Sequence, residues 1–439
     1  MKIIVFSYNI PRPDQSAGER RLVSILEILA RTHQVDFCVS RFQVAFQSEE
    51  YQKYVPPLIS KGINVLPLRE GIVSEALRRQ QYDVGLFETY WIAEEAVVDF
   101  WRYQPNAITI VDSVDIHFAR EAIQARLGQI PAQQAEQTKT RELRIYRHVD
   151  VTIAASTDDA SLLTEQYGIE NVPYVPIVVA SVPRKHEPRE PMAIFIGSFL
   201  WPPNVDGVRW FTESIWPTVY EKNNRARFQI IGSTPTPEIM AMGDLPGVQV
   251  LGFVPDTRPF LDQASVSVAP LRFGGGMKGK VNEALAYGLP VVLTSIGAQG
   301  LQARNGIDMI ITDRAEEFAH AVLELFDKPA LQAQIGLAGQ LLNASHCSPE
   351  VVEGRLNDMM AAVEALSASG SRRKRPRALK RVAWKLRANG QKLRAGLQLK
   401  RQSFLAGKPV QSILRTVARL LPSPVSRMVP KAMKNKIWQ

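Results

Sequence analysis

Three consecutive glycines, Gly274, Gly275 and Gly276, stand before Met277, Lys278 and Lys280, and a helix-patterned run carrying Glu283 follows. Glycine lets a backbone come close to a ligand, because no Cβ intervenes and positive φ is open to it. A helix N-terminus behind such a loop offers free N–H groups and the positive end of a dipole, which suit a phosphate. Two lysines add positive charge at the same place. The stretch LRFGGGMKGKVNEALAYGLPVVLT, Leu271 to Thr294, therefore reads as a diphosphate cradle. Gly288-Leu289-Pro290 stops its helix before the apolar run Val291-Val292-Leu293. A surface loop with solvated lysines is the plain alternative. The stretch is not a Walker A loop, since Val281 follows Lys280, and its glycines do not have the dinucleotide-fingerprint spacing.

Further polar residues gather elsewhere. Asp112, Asp115, His117 and Arg120 crowd one short stretch, VDSVDIHFARE, directly after the apolar segment 108–112. Gly18 and Arg20 lie in Ala17-Gly18-Glu19-Arg20, where a first helix opens, so a second phosphate contact fits there. Gly197 and Ser198 close the run IFIGS, and Asn204 and Asp206 follow in WPPNVD. The latter pair suits either a ligand-side loop or a helix N-cap, with Asn204 as the cap.

The elements that must position these residues alternate. Apolar or period-2 runs at 2–7, 35–40, 83–88, 108–112 and 151–155 read as strands, with helical spacing between them, as in Leu22, Ile25, Leu26 and Leu29. The pattern restarts after the proline-rich stretch 183–191, with strands at 193–197, 227–232, 248–251, 266–270, 290–294 and 309–312 and a helix at 205–220. Strand–helix alternation predicts an α/β chain of two doubly wound, Rossmann-like domains facing a central cleft at the carboxyl ends of their strands. The expected divisions are an N-terminal domain 1–182, a linker 183–191, a C-terminal domain 192–347, a returning helix 348–366 and a basic tail 367–439, either amphipathic and helical or disordered. Ser348-Pro349-Glu350 opens that returning helix.

Bulk properties narrow the class. The 439 residues carry 45% hydrophobic and 22% charged side chains, ordinary for a globular protein. Cys38 and Cys347 are the only cysteines, compatible with a reducing cytosol and offering no disulfide framework. The apolar start is only Ile3 to Phe6, better suited to a strand than to a signal segment, and no 18-residue apolar stretch spans a bilayer. The net charge of +10 conceals a division: residues 371–439 hold 20 of the 53 basic residues and no acidic one. The rest therefore sets 33 basic against 43 acidic residues, a balance of −10.

Four stretches in order, SAGERRLVSILEILARTHQV, VDSVDIHFARE, IFIGSFLWPPNVDGVRWF and GGGMKGKVNEALAYGLPVV, resemble the GT-B glycosyltransferases, specifically glycosyltransferase family 4 of the bacterial polysaccharide type. The resemblance covers about residues 1 to 366. It implies a C-terminal domain binding a nucleotide-diphosphate sugar, an N-terminal domain holding the acceptor, and transfer with retention of configuration. Gly197, Ser198, Asn204, Gly275, Gly276, Met277, Lys278, Lys280 and Glu283 then fall on the donor side. Glu283 matches the second glutamate of the family's Glu-x7-Glu motif, which faces the donor ribose. Gly18, Arg20, Asp112 and Arg120 fall on the acceptor side. Asp115 and His117 join the two lysines as the catalytic group, His117 bonding the donor sugar or orienting an acceptor hydroxyl, and Asp115 serving as base or orienter. A structural histidine is the plainer alternative. Gly275 stands where the motif's first glutamate would be, and Ser198 where many relatives carry arginine. No Asp-x-Asp pair occurs, so positive side chains and amides, without a metal or cofactor, are expected to stabilise the leaving group. A nucleotide-sugar epimerase, or a non-catalytic nucleotide-sugar sensor or membrane scaffold, are the rival readings.

The tail is a separate signal. Leu379, Val382, Leu386, Leu393 and Leu397 recur at helical spacing among lysines and arginines, with Trp384 nearby. Such a basic amphipathic segment suits an anionic membrane surface, each Lys or Arg adding about 1 kcal/mol. The same charge would suit nucleic-acid phosphates or a partner protein. The family's lipid-linked saccharide acceptors favour the membrane, giving a cytoplasmic protein held at the inner face, and nucleic acid is not the expected partner.

Overall fold

The computed structural model describes residues 1–39, 48–66, 72–184 and 190–370. The core of the expected linker and the basic tail from 371 onward lie outside the described residues. The first sheet comprises β1 (Lys2–Ser7), β2 (Gln34–Val39), β3 (Ile63–Val65), β4 (Val84–Glu88), β5 (Ile108–Asp112) and β6 (Val151–Ile153). The second comprises β7 (Met192–Ile196), β8 (Arg227–Ile231), β9 (Val248–Gly252), β10 (Val266–Ala269), β11 (Val291–Leu293) and β12 (Ile310–Ile311). Spatial orders are β3-β2-β1-β4-β5-β6 and β12-β11-β10-β7-β8-β9, with every pairing parallel. This is the expected pair of Rossmann-like sheets, the GT-B architecture, and both sheets lie in one compact unit.

Parallel strands need cover on both faces, which is why they read as unbroken apolar runs. Ile3, Ile4 and Val5 are each fully buried although they point to alternate faces. Burial of each such side chain contributes about 1.5–3 kcal/mol. Strand order reverses between β1 and β4 in one sheet and between β7 and β10 in the other. Crevices open at the carboxyl ends of strands at such switch points, so both sheets present their loops to the cleft there.

The helices that shape the cleft are α1 (Ala17–Ala30), α2 (His117–Arg126), α3 (Ala132–Tyr146), α4 (Thr157–Ser161), α5 (Pro202–Trp210), α6 (Gly279–Ala286) and α7 (Pro349–Ser369). In α1, Leu22, Ile25, Leu26 and Leu29 are buried at the spacing expected of one apolar face. Val352, Leu356, Met359, Met360 and Val363 of α7 enter the core of the first sheet, so the last described helix packs on the N-terminal half. It runs to Ser369, past the expected end at 366, and stops at Gly370 with φ 66°.

Two other elements differ from expectation. The three-residue edge strand β3 is too short to show a period. The helix expected over 205–220 starts at Pro202, because proline fits a first helical turn, and then changes pitch. Phe211–Ile215 forms a wider π-helical turn before Trp216–Lys222. Pro217 has no N–H to give the carbonyl four residues before it, which accounts for the wider turn there.

Candidate active site in the cleft

On the side of the second sheet, β7 runs into Gly197 and Ser198. A Cβ on Gly197 would lie 2.7 Å from Asn204 Nδ2 and 3.0 Å from Lys280 Cε, so only glycine lets those side chains cover the strand end. Asn204 is not the helix cap. Trp201 holds that position, because the two prolines move the helix start forward, and Asn204 lies inside α5. There its Nδ2 donates to Ser198 O at 2.7 Å and its Oδ1 accepts from Lys280 Nζ. The Lys280 ammonium also sits 4.6 Å from the centre of the Phe195 ring. Ser198 Oγ accepts from Ser233 Oγ at 3.0 Å, and Asp206 is engaged by Arg272, Nε at 2.9 Å.

The glycine loop demands glycine at two points, Gly274 with φ 150° and Gly276 with φ 61°. Behind it, Lys278 ends the loop as the N-cap residue of α6. Its Nζ turns back to donate to Gly275 O at 3.2 Å and Gly276 O at 2.5 Å. Burial lowers the Lys278 pKa to about 8 against the opposing pull of Asp159, Asp115 and Asp158. Burial, reinforced by repulsion from Lys278, lowers Lys280 further, to about 7. The two lysines are thus placed differently: Lys278 ties up the loop's own carbonyls, and Lys280 stands over the end of β7. Glu283 accepts from Thr257 Oγ1 at 2.8 Å and stays half-exposed, whereas Met277 packs inward, 3.7 Å from Cys347 Sγ.

Across the cleft, the turn after β5 meets this loop. Asp112 is buried in an ion pair with Arg21, 2.5 Å apart, and its other oxygen accepts from the Val114 amide at 3.2 Å. It thereby holds Val114 at φ 60°, an unfavourable value for a β-branched residue. That twist delivers Asp115 to the glycine loop: a Cβ on Gly275 would lie 3.1 Å from Asp115 Oδ2, and one on Gly276 would lie 3.2 Å from Asp115 Cβ. The space where a side chain at 275 would begin is therefore occupied by an aspartate from the other sheet. Asp115 also bonds Arg120 and lies 3.1 Å from His117 Nδ1. Arg120 reaches over the cleft to stack 4.6 Å from the Trp201 ring.

His117 opens α2, and Glu142 of α3, fully buried, accepts the His117 and Phe118 amides at 3.2 and 2.9 Å. Burial works against protonation of His117, but the Asp115 and Glu142 carboxylates outweigh it and raise its pKa. Gly18 lies in the first turn of α1 near Val114, and Arg20 Nε is spent on Pro13 O at 3.2 Å. The N-termini of α1 and α6 meet closely, since a Cβ on Gly279 would fall 2.2 Å from Ala17 Cβ.

The cleft also contains residues that the sequence reading did not single out. Glu88, at the carboxyl end of β4 and therefore at the first switch point, accepts from Ser7 Oγ, and burial pushes its pKa up to about 7. Glu142 and Arg21 lie on helices whose spacing reads as ordinary amphipathic surface. Glu88 alone had a signal available, an acid closing an otherwise apolar strand.

Residues 190–328 match the family model described as Glycosyl transferases group 1. An uncharacterized 44.6 kDa protein in the cps region of Klebsiella pneumoniae is 21% identical, over 73% of this chain and 90% of that protein. Among solved structures, Anabaena HepE in complex with UDP aligns with TM-score 0.64 and 13% identity, covering 82% of this chain and all of that one. A mutant of S. aureus TarM in complex with Fondaparinux, alpha-GlcNAc-glycerol and UDP aligns with TM-score 0.53 and 14% identity, covering 66% of this chain and 58% of that one. This chain therefore spans little more than half of that mutant chain. The match to group 1 glycosyl transferases thus falls on the half of the chain that holds the second sheet, and the described chain as a whole has the two-sheet GT-B architecture.

Proposed function

We propose that this chain transfers a glycosyl group from a nucleotide-diphosphate sugar to a saccharide or lipid-linked saccharide acceptor, with retention and without a metal. The observation that carries the reading is Lys280, held by Asn204 over the carboxyl end of β7 beside the glycine loop and the N-terminus of α6. A departing nucleoside diphosphate gains negative charge. A fixed ammonium and helix-terminal amides aimed at it favour the transition state over the ground state. Glu283, half-exposed on the same helix, is positioned to accept hydrogen bonds from a ribose. Lys278 acts one step back by holding the loop carbonyls, so that the loop amides are left for the ligand.

The acceptor side is the Asp115–His117–Arg120 group. Asp115 lies against Gly275, within reach of a hydroxyl placed at the glycine loop, and His117 and Arg120 fix its carboxylate. HepE binds UDP, and the TarM structure holds UDP with saccharide ligands. These ligands support a UDP-sugar donor and a saccharide acceptor for this chain. The Klebsiella relative's place in a cps region supports a role in polysaccharide synthesis. Among the described residues no helix is long and apolar enough to cross a membrane, and we assign contact with an anionic membrane face to the basic tail.

The test is a thermal-shift screen of UDP-, GDP- and ADP-sugars followed by hydrolysis and transfer assays with and without EDTA. A stabilising donor whose turnover survives EDTA and falls about 10²-fold in Lys280→Ala supports the assignment. Donor binding with no hydrolysis or transfer would favour a sensor, and release of a free epimer would favour an epimerase.

A further inference from the structure

Beside the glycine loop lies a cavity of about 280 Å³ that includes none of Gly197, Asn204, Lys280 or Glu283 in its walls. It is built mainly by the first sheet's helices, α2, α4 and the turn after α4, and is closed by Gly274–Gly276 and Gln299 of the second domain. Its size falls near the lower end of the roughly 300–1,000 Å³ typical of small-molecule sites, enough for one pyranose ring and too little for an oligosaccharide.

Its chemistry is uneven. Ile116, Ile123 and Leu162 supply an apolar wall, suited to the C–H face of a sugar. Asp158, Asp159 and Glu165 supply carboxylates, which accept hydrogen bonds from paired hydroxyls. Asp158 is partly used, since its Oδ2 accepts from the Gly300 amide at 2.9 Å. Asp159 is 8% exposed, and its Oδ2 has no hydrogen-bond partner among the described residues. That oxygen is closed off from the cavity in this structure, so a ligand hydroxyl removes the cost of the unbonded carboxylate oxygen only once the Asp159 side chain turns toward the cavity. The lining cation, Arg120, is already engaged by Asp115 and Trp201.

We propose that this cavity is a subsite for one uncharged sugar ring of the acceptor, recognised by Asp159 and Asp158 and closed to uronate or phosphorylated sugars by their charge. The proposal rests on the transferase reading for the word acceptor. Its location supports that role: the cavity reaches the glycine loop at the residues that Asp115 touches, so a ring held there is next to the proposed site of transfer.

Saturation-transfer NMR on the full chain, with methyl glucoside, methyl galactoside, methyl mannoside and methyl glucuronide as probes, tests it. Nucleotide-sugar affinity is measured on the same samples. At least one neutral glycoside is expected to receive saturation and the glucuronide none. Asp159→Asn is expected to weaken the neutral glycoside about tenfold or more with nucleotide-sugar affinity unchanged. Ser161→Trp, a substitution at an exposed residue of the cavity wall, keeps the question answerable if Asp159→Asn does not fold, and is expected to abolish glycoside binding. No glycoside signal in the wild-type chain, equal binding of the glucuronide, or binding unaltered in the folded variants would overturn the subsite. Loss of nucleotide-sugar binding in the wild-type chain would instead overturn the transferase reading.

Discussion

Titrating the protein with UDP-glucose at pH 6 and at pH 8 will reveal the protonation of Lys280. This donor's diphosphate is esterified at both ends, so the ligand itself does not titrate in the range. In the free protein the Lys280 pKa is lowered to about 7 by burial and by Lys278. At pH 8 only ~10% of the side chain is then charged, and at pH 6 ~90%. A diphosphate beside it favours the charged form and raises the pKa, so binding takes up ~0.9 proton at pH 8 and ~0.1 at pH 6. The sign follows from linkage: affinity is greatest below the free-state value and weakens by about tenfold per pH unit above it, until the bound-state value is reached. Lys278, lowered to about 8, adds to the uptake only if the diphosphate reaches it as well. Calorimetry in buffers of different ionisation enthalpy reads the proton count directly. Lys280→Met will remove most of the uptake at pH 8, whereas Lys278→Met, which relieves part of the repulsion that lowers Lys280, will reduce it by less. If the wild-type protein takes up no proton at pH 8, or if Lys280→Met takes up as many, the ammonium is not what meets the diphosphate.

Arg21→Met leaves the buried Asp112 carboxylate unpaired and will cost about 3–5 kcal/mol of stability in urea unfolding, an amount that a merely solvent-facing arginine would not show. Gly279→Ala forces its Cβ onto Ala17 and will separate the N-termini of α1 and α6, lowering turnover; Ala17→Gly in the same chain will restore much of it. Trp201→Ala removes the ring under Arg120 and will weaken activity by a factor of a few, about 0.5–1 kcal/mol for a partly exposed cation–π contact. Glu88, whose pKa is raised to about 7, contributes stability that is fully present below its unfolded value and is lost as pH rises through 7. Unfolding curves between pH 4.5 and 8 will therefore fall less steeply for Glu88→Gln than for wild type.

Much of the architecture was legible in the linear chain because its causes are local. Apolar runs such as Ile3 to Phe6, buried on both faces, and the one-sided spacing of Leu22, Ile25, Leu26 and Leu29 report the parallel sheet and its covering helices without any distant contact. β3 escaped because three residues carry no period, and the early start at Pro202 was hidden by reading Asn204 as a cap. The glycine loop was visible for the same local reason: Gly274 and Gly276 occupy backbone conformations that other residues rarely adopt.

The amino-acid order alone thus determined two doubly wound halves, the loop that suits a phosphate, and the division between an acidic body and a basic tail. Only the tertiary structure decided which lysine stands over β7 and which one is spent on the loop's carbonyls, because that depends on Asn204, 76 residues before Lys280. It also decided that Asp112 pairs with Arg21 and that Asp115 fills the space beside Gly275. Propensity and spacing act over a few residues. Charge pairing, burial and close approach act between whichever side chains the two sheets bring together, and nothing in the local pattern records that meeting.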